Sequence, residues 1–204
     1  MEQLTEEWFK ARLGKVTASR VADVIAKTKS GYSASRDNYM AQLICERLTG
    51  QQGESFTNTA MQWGTETEPL ARSAYENARG LFAEEVGFVQ HPTIEMSGAS
   101  PDGLVETRGM LEIKCPNTAT HIDTLINLSV PTKYITQMQW QMRCCERQWC
   151  DYVSFDPRLP LDLQLFIKRV EFDAEYVATL EKEVNQFLDE LVKKINKLPR
   201  VKNV

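Results

Sequence analysis

The 204-residue chain is 42% hydrophobic and 25% charged, which places it among soluble globular proteins and excludes a disordered chain. A formal net charge of −4 argues against a protein that coats nucleic acid through an overall basic surface, but leaves room for a local basic patch. No stretch approaches the roughly 20 apolar residues of a membrane span, and the acidic start MEQLTEEWFK lacks the basic and apolar parts of a leader, so an intracellular, non-membrane protein is expected.

The length suits one domain, residues 1–204. The five cysteines, Cys45, Cys115, Cys144, Cys145 and Cys150, are odd in number and spread through a chain that is not small and secreted, so a disulfide framework is not expected. Cys144, Cys145 and Cys150 form a local cluster without a CxxC pair. Packing as small apolar residues on or near a helix is the expectation, with an iron–sulfur or zinc site as the alternative.

The N-terminal third reads as helices. One starts at Thr5, carries Trp8 and Phe9, and stops at Gly14. A second follows Thr17–Ser19, with Val21, Val24 and Ile25 on one face. A third follows Ser35, with Tyr39, Leu43, Ile44 and Leu48 as its buried stripe and Gly50 at its end. The stretch from Ala60 to Ala78 reads as helix with an interruption near Gly64. Strands are expected at Val86–Val89, Ile94–Met96, Leu104–Glu106 and Leu111–Lys114. Helices follow at Thr118–Asn127 and Thr132–Arg147, then strands at Tyr152–Phe155 and Leu165–Phe172, then a long amphipathic helix from Ala174 to Leu198. The fold class expected is α/β (α+β), a central mixed sheet flanked by helices.

The most informative segment is SPDGLVETRGMLEIKCP, Ser100–Pro116. Asp102 lies in a turn, and Glu112 and Lys114 follow on a strand. The period of two places Leu111 and Ile113 on one face and puts Glu112 beside Lys114 on the other. Hard carboxylate oxygens suit Mg²⁺ or Mn²⁺. Such a metal polarises a phosphate and activates water, and a lysine beside it, with a depressed pKa, can orient or deprotonate that water. A solvated Glu–Lys strand face with an ordinary turn aspartate is the plain alternative.

Asp102 with Glu112-Ile113-Lys114 resembles the signature of PD-(D/E)XK nucleases. RLGKVTAS at Arg12–Ser19, WGTETEP at Trp63–Pro69, SPDG at Ser100–Gly103, LEIKCP at Leu111–Pro116 and FDPR at Phe155–Arg158 resemble the lambda exonuclease group, the YqaJ-type viral recombinases. The resemblance implies a PD-(D/E)XK fold and a Mg²⁺-dependent 5′-to-3′ exonuclease acting on double-stranded DNA ends, leaving a 3′ tail for recombination. It also implies a homotrimeric ring, a single-strand annealing protein as partner, and a phage or prophage setting in a bacterial cytoplasm. The catalytic residues implied are Asp102, Glu112, Lys114, Glu68 and Gln137, with Asp102, Glu112, Ile113 and Glu68 holding metal. Gln139 and Gln141 lie close enough in sequence to compete for the role of Gln137. Arg12, Ser19 and Lys29 match a 5′-phosphate pocket, Lys29 standing where the family has arginine and so losing bidentate binding. Met61 matches an apolar wedge that parts the terminal base pair, against core packing as the alternative. Trp63, Trp140 and Trp149 are given no DNA role. Two other readings stay open: a different PD-(D/E)XK nuclease, endonuclease or single-strand exonuclease, and a DNA-end-binding subunit without catalysis.

Overall fold

The computed structural model describes residues 2–53 and 59–199. The chain runs through α1 (Glu6–Arg12), β1 (Val16–Thr17), a 3-10 turn (Ala18–Arg20), α2 (Val21–Ile25), the hairpin strands β2 (Lys27–Thr28) and β3 (Gly31–Tyr32), α3 (Ala34–Thr49) and α4 (Thr59–Arg79). Short strands follow: β4 (Ala83–Glu84), β5 (Val89–Gln90), β6 (Ser97–Ala99) and β7 (Gly103–Val105). Then come β8 (Gly109–Lys114), α5 (Thr118–Asn127), α6 (Thr132–Cys145), β9 (Trp149–Phe155), β10 (Leu165–Glu171) and α7 (Ala174–Asn196). The fold is mixed α/β. Among the described residues no helix is long and apolar enough to cross a membrane.

The main sheet has the order β10-β9-β8-β7-β4. Within this sheet, among the described residues, only β8 and β9 pair in parallel, with Glu112 opposite Tyr152 and Lys114 opposite Ser154. Parallel neighbours need a long crossover, and α5 with α6 supplies it. The alternation of β8 sorts its side chains as expected. Leu111 and Ile113 pack with Ala71 and Tyr75 of α4 and Val153 of β9. Met110 packs on the opposite face with Met138 and Met142 of α6 and Cys150 of β9. Glu112 therefore faces α6 and is fully buried, rather than lying on a solvated strand face. Gly109 begins β8 opposite Trp149, and a Cβ there would come within 2.1 Å of the indole ring, so the close approach of these strands demands glycine.

A second sheet, β1-β6-β5, packs against α6. Val21, Val24, Tyr39, Leu43, Leu180, Val184 and Phe187 form its core together with Trp140 of α6. Cys144 belongs to this cluster and Cys150 to the α6–sheet cluster, so the two pack in separate cores.

Several expectations are corrected. Helix α3 starts two residues early, after Ser33, and Leu48 is 56% exposed because the buried face continues from Leu43 to Glu46. Helix α4 is unbroken at Gly64, whose Cα faces open space, and it also contains Pro69. Ile94–Met96 is a turn, not a strand. The ring Nδ1 of His91 accepts the N–H of Ile94, and Ser97 N–H donates to the Ile94 carbonyl. From Val86 to Phe88 the backbone is irregular, with the Val86 carbonyl taken by the Gln3 side chain. Helix α6 ends at Cys145, where Glu146 turns left-handed, and β9 begins at Trp149, earlier than expected.

His91 is buried, stacks on Trp140 at 4.7 Å, and faces Glu181 at 3.3 Å without hydrogen-bond geometry. Burial lowers its pKa to about 4, outweighing Glu181. The unfolded histidine titrates near roughly 6.5. As pH falls from there towards 4, the unfolded chain takes up a proton that the folded chain refuses. Stability from this group is thus complete above that window and lost as pH falls through it. Urea midpoints at neutral pH and near the lower end of that window are expected to drop further in the wild type than in His91→Asn. Equal drops would remove His91 as the cause.

Candidate active site

Three chain segments build the site. The turn before β7 carries Asp102, β8 carries Glu112, Ile113 and Lys114, and α4 carries Glu68. Asp102 is pinned by the N–H of Ile113, which donates to its Oδ2 at 2.6 Å. This bond ties the turn to the next strand of the sheet. Arg72, one turn after Glu68, donates to the Glu68 carboxylate at 2.9 Å and to the main-chain carbonyl of Asp102. One guanidinium thus sets α4 in register with the aspartate turn.

Glu112 has no exposed surface, and both of its oxygens are occupied. Oε1 accepts from Gln137 at 2.6 Å and from Lys114, while Oε2 accepts from Gln141 at 2.6 Å. Gln137 and Gln141 are one turn apart on α6, so they descend on one carboxylate from the same helix face. Gln139, between them, turns away to the Glu171 carbonyl and the Asp173 N–H.

These groups border a cavity of about 600 Å³ lined by Glu68, Asp102, Ile113, Lys114 and Gln137, with Met61 and Ser19 on its wall. Its electrostatics follow from burial and like charge. Desolvation raises the pKa of Asp102 well above the usual carboxylate range, and Glu112 and Glu68 add to it against Lys114. Desolvation likewise raises Glu68, although Arg72 and Lys114 oppose it. For Lys114, burial acts to lower the pKa, but Glu112 and Asp102 outweigh it and the net shift is upward. The depressed lysine expected from sequence belongs to a site that carries a metal's charge; carboxylates alone act in the opposite direction.

The donor set fits a hard divalent cation. Every candidate ligand is oxygen: the carboxylates of Asp102, Glu112 and Glu68, and the main-chain carbonyl of Ile113, whose side chain is apolar and buried. Mutual repulsion among the carboxylates is what a cation would relieve. Among the described residues no three His, Cys, Asp or Glu side chains close up as a metal cage.

A smaller cavity of about 280 Å³ adjoins the first, lined by Arg12, Lys15, Ser19, Arg20, Tyr39, Gln42, Glu46 and Met61 among others. Ser19 and Met61 border both. Arg12 packs its guanidinium over Trp8 at 3.8 Å. Met61 is 56% exposed, so core packing is not its role. Lys29 is not brought to this place: it lies in the exposed turn between β2 and β3 and lines neither cavity. Sequence reading did not find Arg72, Arg20 or the hold of Gln141 on Glu112. The i, i+4 spacing of Glu68 and Arg72 was the one local signal available.

Beyond the cavity, Asp156 is fully buried and accepts from Thr118 at the start of α5 and from Arg158, which lies over the Trp63 ring at 4.3 Å. The Arg158 hydrogen bonds hold the Asp156 carboxyl down to about 2. The FDPR segment therefore ties α4, α5 and β9 together behind the site.

The sequence matches the model of a family described as the YqaJ-like viral recombinase domain over residues 7–148. No curated protein matches it. Among solved structures, an alkaline exonuclease from Laribacter hongkongensis (LHK-Exo) is 57% identical, with a TM-score of 0.89 over 94% of this chain and 95% of that one. The same exonuclease in complex with dAMP matches equally, at 57% identity and a TM-score of 0.89. A phage-related exonuclease from Haemophilus somnus 129PT is 17% identical with a TM-score of 0.71, over 89% of this chain and 96% of that one, a likeness of fold.

Replacing Gln141 by leucine removes a donor to a buried carboxylate while keeping the apolar bulk. Metal-supported nuclease activity is expected to fall by about 10–100-fold, the usual effect of losing a residue that orients a ligand. Wild-type activity in a folded Gln141→Leu variant would show that Glu112 needs no such hold.

Proposed function

The chain belongs to the YqaJ-like viral recombinase family, and we propose that it is a metal-dependent exonuclease that degrades one strand of double-stranded DNA from the 5′ end, leaving a 3′ single-stranded tail for recombination. The observation that carries this reading is the meeting of Asp102, Glu68, Ile113 and Lys114 on one cavity, with Glu112 bonded to Lys114 behind it. The relative's complex with dAMP supports it, because a deoxynucleoside monophosphate is the size of product that stepwise digestion from an end releases.

A divalent cation, Mg²⁺ or Mn²⁺, held by Asp102, Glu112, Ile113 and Glu68 supplies Lewis acidity towards the scissile phosphate and lowers the pKa of water. The protein's own groups do the rest. Gln137 reaches the cavity while bonded to Glu112, so its amide is fixed beside the reacting phosphate. Lys114 lies at the cavity with its Nζ bonded to Glu112. When the carboxylate charge is satisfied by a cation, the hold on its proton weakens, and Nζ can orient the attacking water and move a proton. Otherwise it faces the transition-state charge as a cation. Arg12 and Ser19 border the adjoining cavity and receive the 5′-terminal phosphate, while Met61, between the cavities, is placed to part the last base pair. A homotrimeric ring around the duplex and a single-strand annealing partner in a phage-infected bacterial cytoplasm complete the proposal. A stable monomer in light scattering would take the ring out of it.

The test is digestion of linear duplex labelled separately at either end of one strand, in Mg²⁺ and in EDTA, beside a Lys114→Ala variant. Mg²⁺-dependent release from the 5′ end, lost by at least about 100-fold in the variant, is the expected result. Cleavage of closed circles would make the protein an endonuclease. Binding of ends without cleavage would leave an end-binding subunit.

A further inference from the structure

The smaller cavity differs in charge from the rest of this acidic chain. Its charged lining is Arg12, Lys15 and Arg20 against Glu46 alone. The charges on this wall are arranged for an anion. Lys15 is turned away to Gln90 at 3.1 Å. Glu46 is buried and spent on the Gly14 N–H at 2.9 Å and the Gln42 amide at 2.8 Å. The Arg12 side chain makes no hydrogen bond and no ion pair among the described residues, and it is half-buried with its guanidinium over Trp8.

Arg20 is the most constrained of the three cations. Its Nε donates to Asp23 at 2.6 Å and its Nη1 to the Gln42 carbonyl oxygen at 3.1 Å, and its plane lies over Tyr39 at 4.2 Å. Gln42 thus stands between Arg20 and Glu46, accepting from one through its Oε1 and donating to the other, which fixes the amide and occupies one carboxylate oxygen of Glu46. The remaining nitrogen, Nη2, has no partner among the described residues. Lys29, by contrast, sits in a hairpin turn whose strands are fastened to α7 through Lys27 and Tyr32, both bonded to Glu183.

The geometry points to Arg20, not Lys29, as the second guanidinium that reads the terminal 5′-phosphate, acting with Arg12 across the smaller cavity and thereby selecting a phosphorylated end over a hydroxyl end. Side-chain entropy favours this choice, because a fork already held by Asp23, Gln42 and Tyr39 loses little freedom when it meets a phosphate. A phosphate monoester carries close to two charges at neutral pH, and it would meet the guanidinium of Arg12 and the Nη2 edge of Arg20, whose Nε stays paired with Asp23. The assignment rests on the reading of this cavity as the receiver of the 5′ end.

The experiment uses the full chain and short duplexes that differ only in a 5′-phosphate or a 5′-hydroxyl. Binding is read by fluorescence anisotropy in EDTA, and digestion in Mg²⁺ is resolved into KM and kcat. Wild type is expected to favour the phosphorylated end. Arg20→Ala is expected to lose about tenfold of that preference, in Kd and KM rather than kcat. Arg20→Lys, which keeps a cation that can reach Asp23, is expected to recover part of it and guards against misfolding of the alanine variant. Lys29→Ala is expected to keep the full preference. An unchanged preference in folded Arg20→Ala, or its loss in Lys29→Ala, overturns the assignment while leaving 5′ digestion intact. A wild type that does not digest from the 5′ end fails the underlying reading as well, and shows that failure without any variant.

Discussion

A carboxylate without exposed surface lies at the middle of the main sheet, and much of the architecture around it supplies its hydrogen-bond partners. Removing an ion from water costs several kcal/mol even after relaxation. Glu112 offsets that cost with Lys114 two residues along its own strand and with two glutamine amides from above. Those amides must come from a helix lying over β8, so the parallel β8–β9 pair and its α5–α6 crossover are required by the chemistry as well as by packing. Met110, Met138 and Met142 then fill the space around the polar group with adaptable side chains.

The other side of the sheet is organised by a second charge. Arg72 bridges Glu68 and the Asp102 turn, while Ala71 and Tyr75 on the same helix pack on Leu111 and Ile113. The helix that bears one acidic residue of the site is thus registered against the strand that bears the others. Its far end is anchored where Tyr75 donates to Asp151, a fully buried aspartate that Arg169 also holds at 2.8 Å. Ser19 and Met61 separate an oxygen-rich cavity from a guanidinium-rich one, so groups suited to cations and groups suited to anions stand side by side. A net acidic chain accommodates both because the cationic lining is local.

Legibility followed sequence distance. Helix α5 occupies the residues expected, since its Asn117 cap and the turn at Leu128 are local signals. Asp102, Glu112 and Lys114 were legible because one strand period and one turn bring them together within a short segment. Arg20, Arg72 and the choice of Gln141 were not, because each acts on a partner far along the chain or buried behind it. Ile94–Met96 carries the apolar character of a strand, but a histidine ring three residues earlier captures the Ile94 N–H, and a turn results. Lys29 matched a spacing in sequence, while the β2–β3 hairpin carries it to an exposed turn.

Pro69 follows Glu68 inside α4, and it has no N–H to give the carbonyl of Thr65 one turn back. Thr65 lines the larger cavity, so the carbonyl that Pro69 leaves without its usual donor belongs to the segment of helix that borders the site. A proline inside a helix is worth about 3 kcal/mol of lost stability. A protein engineer seeking heat resistance would therefore choose position 69 first, and would be altering the helix geometry that presents Glu68. Here durability and activity draw on the same backbone, and a gain in one is to be weighed against a loss in the other.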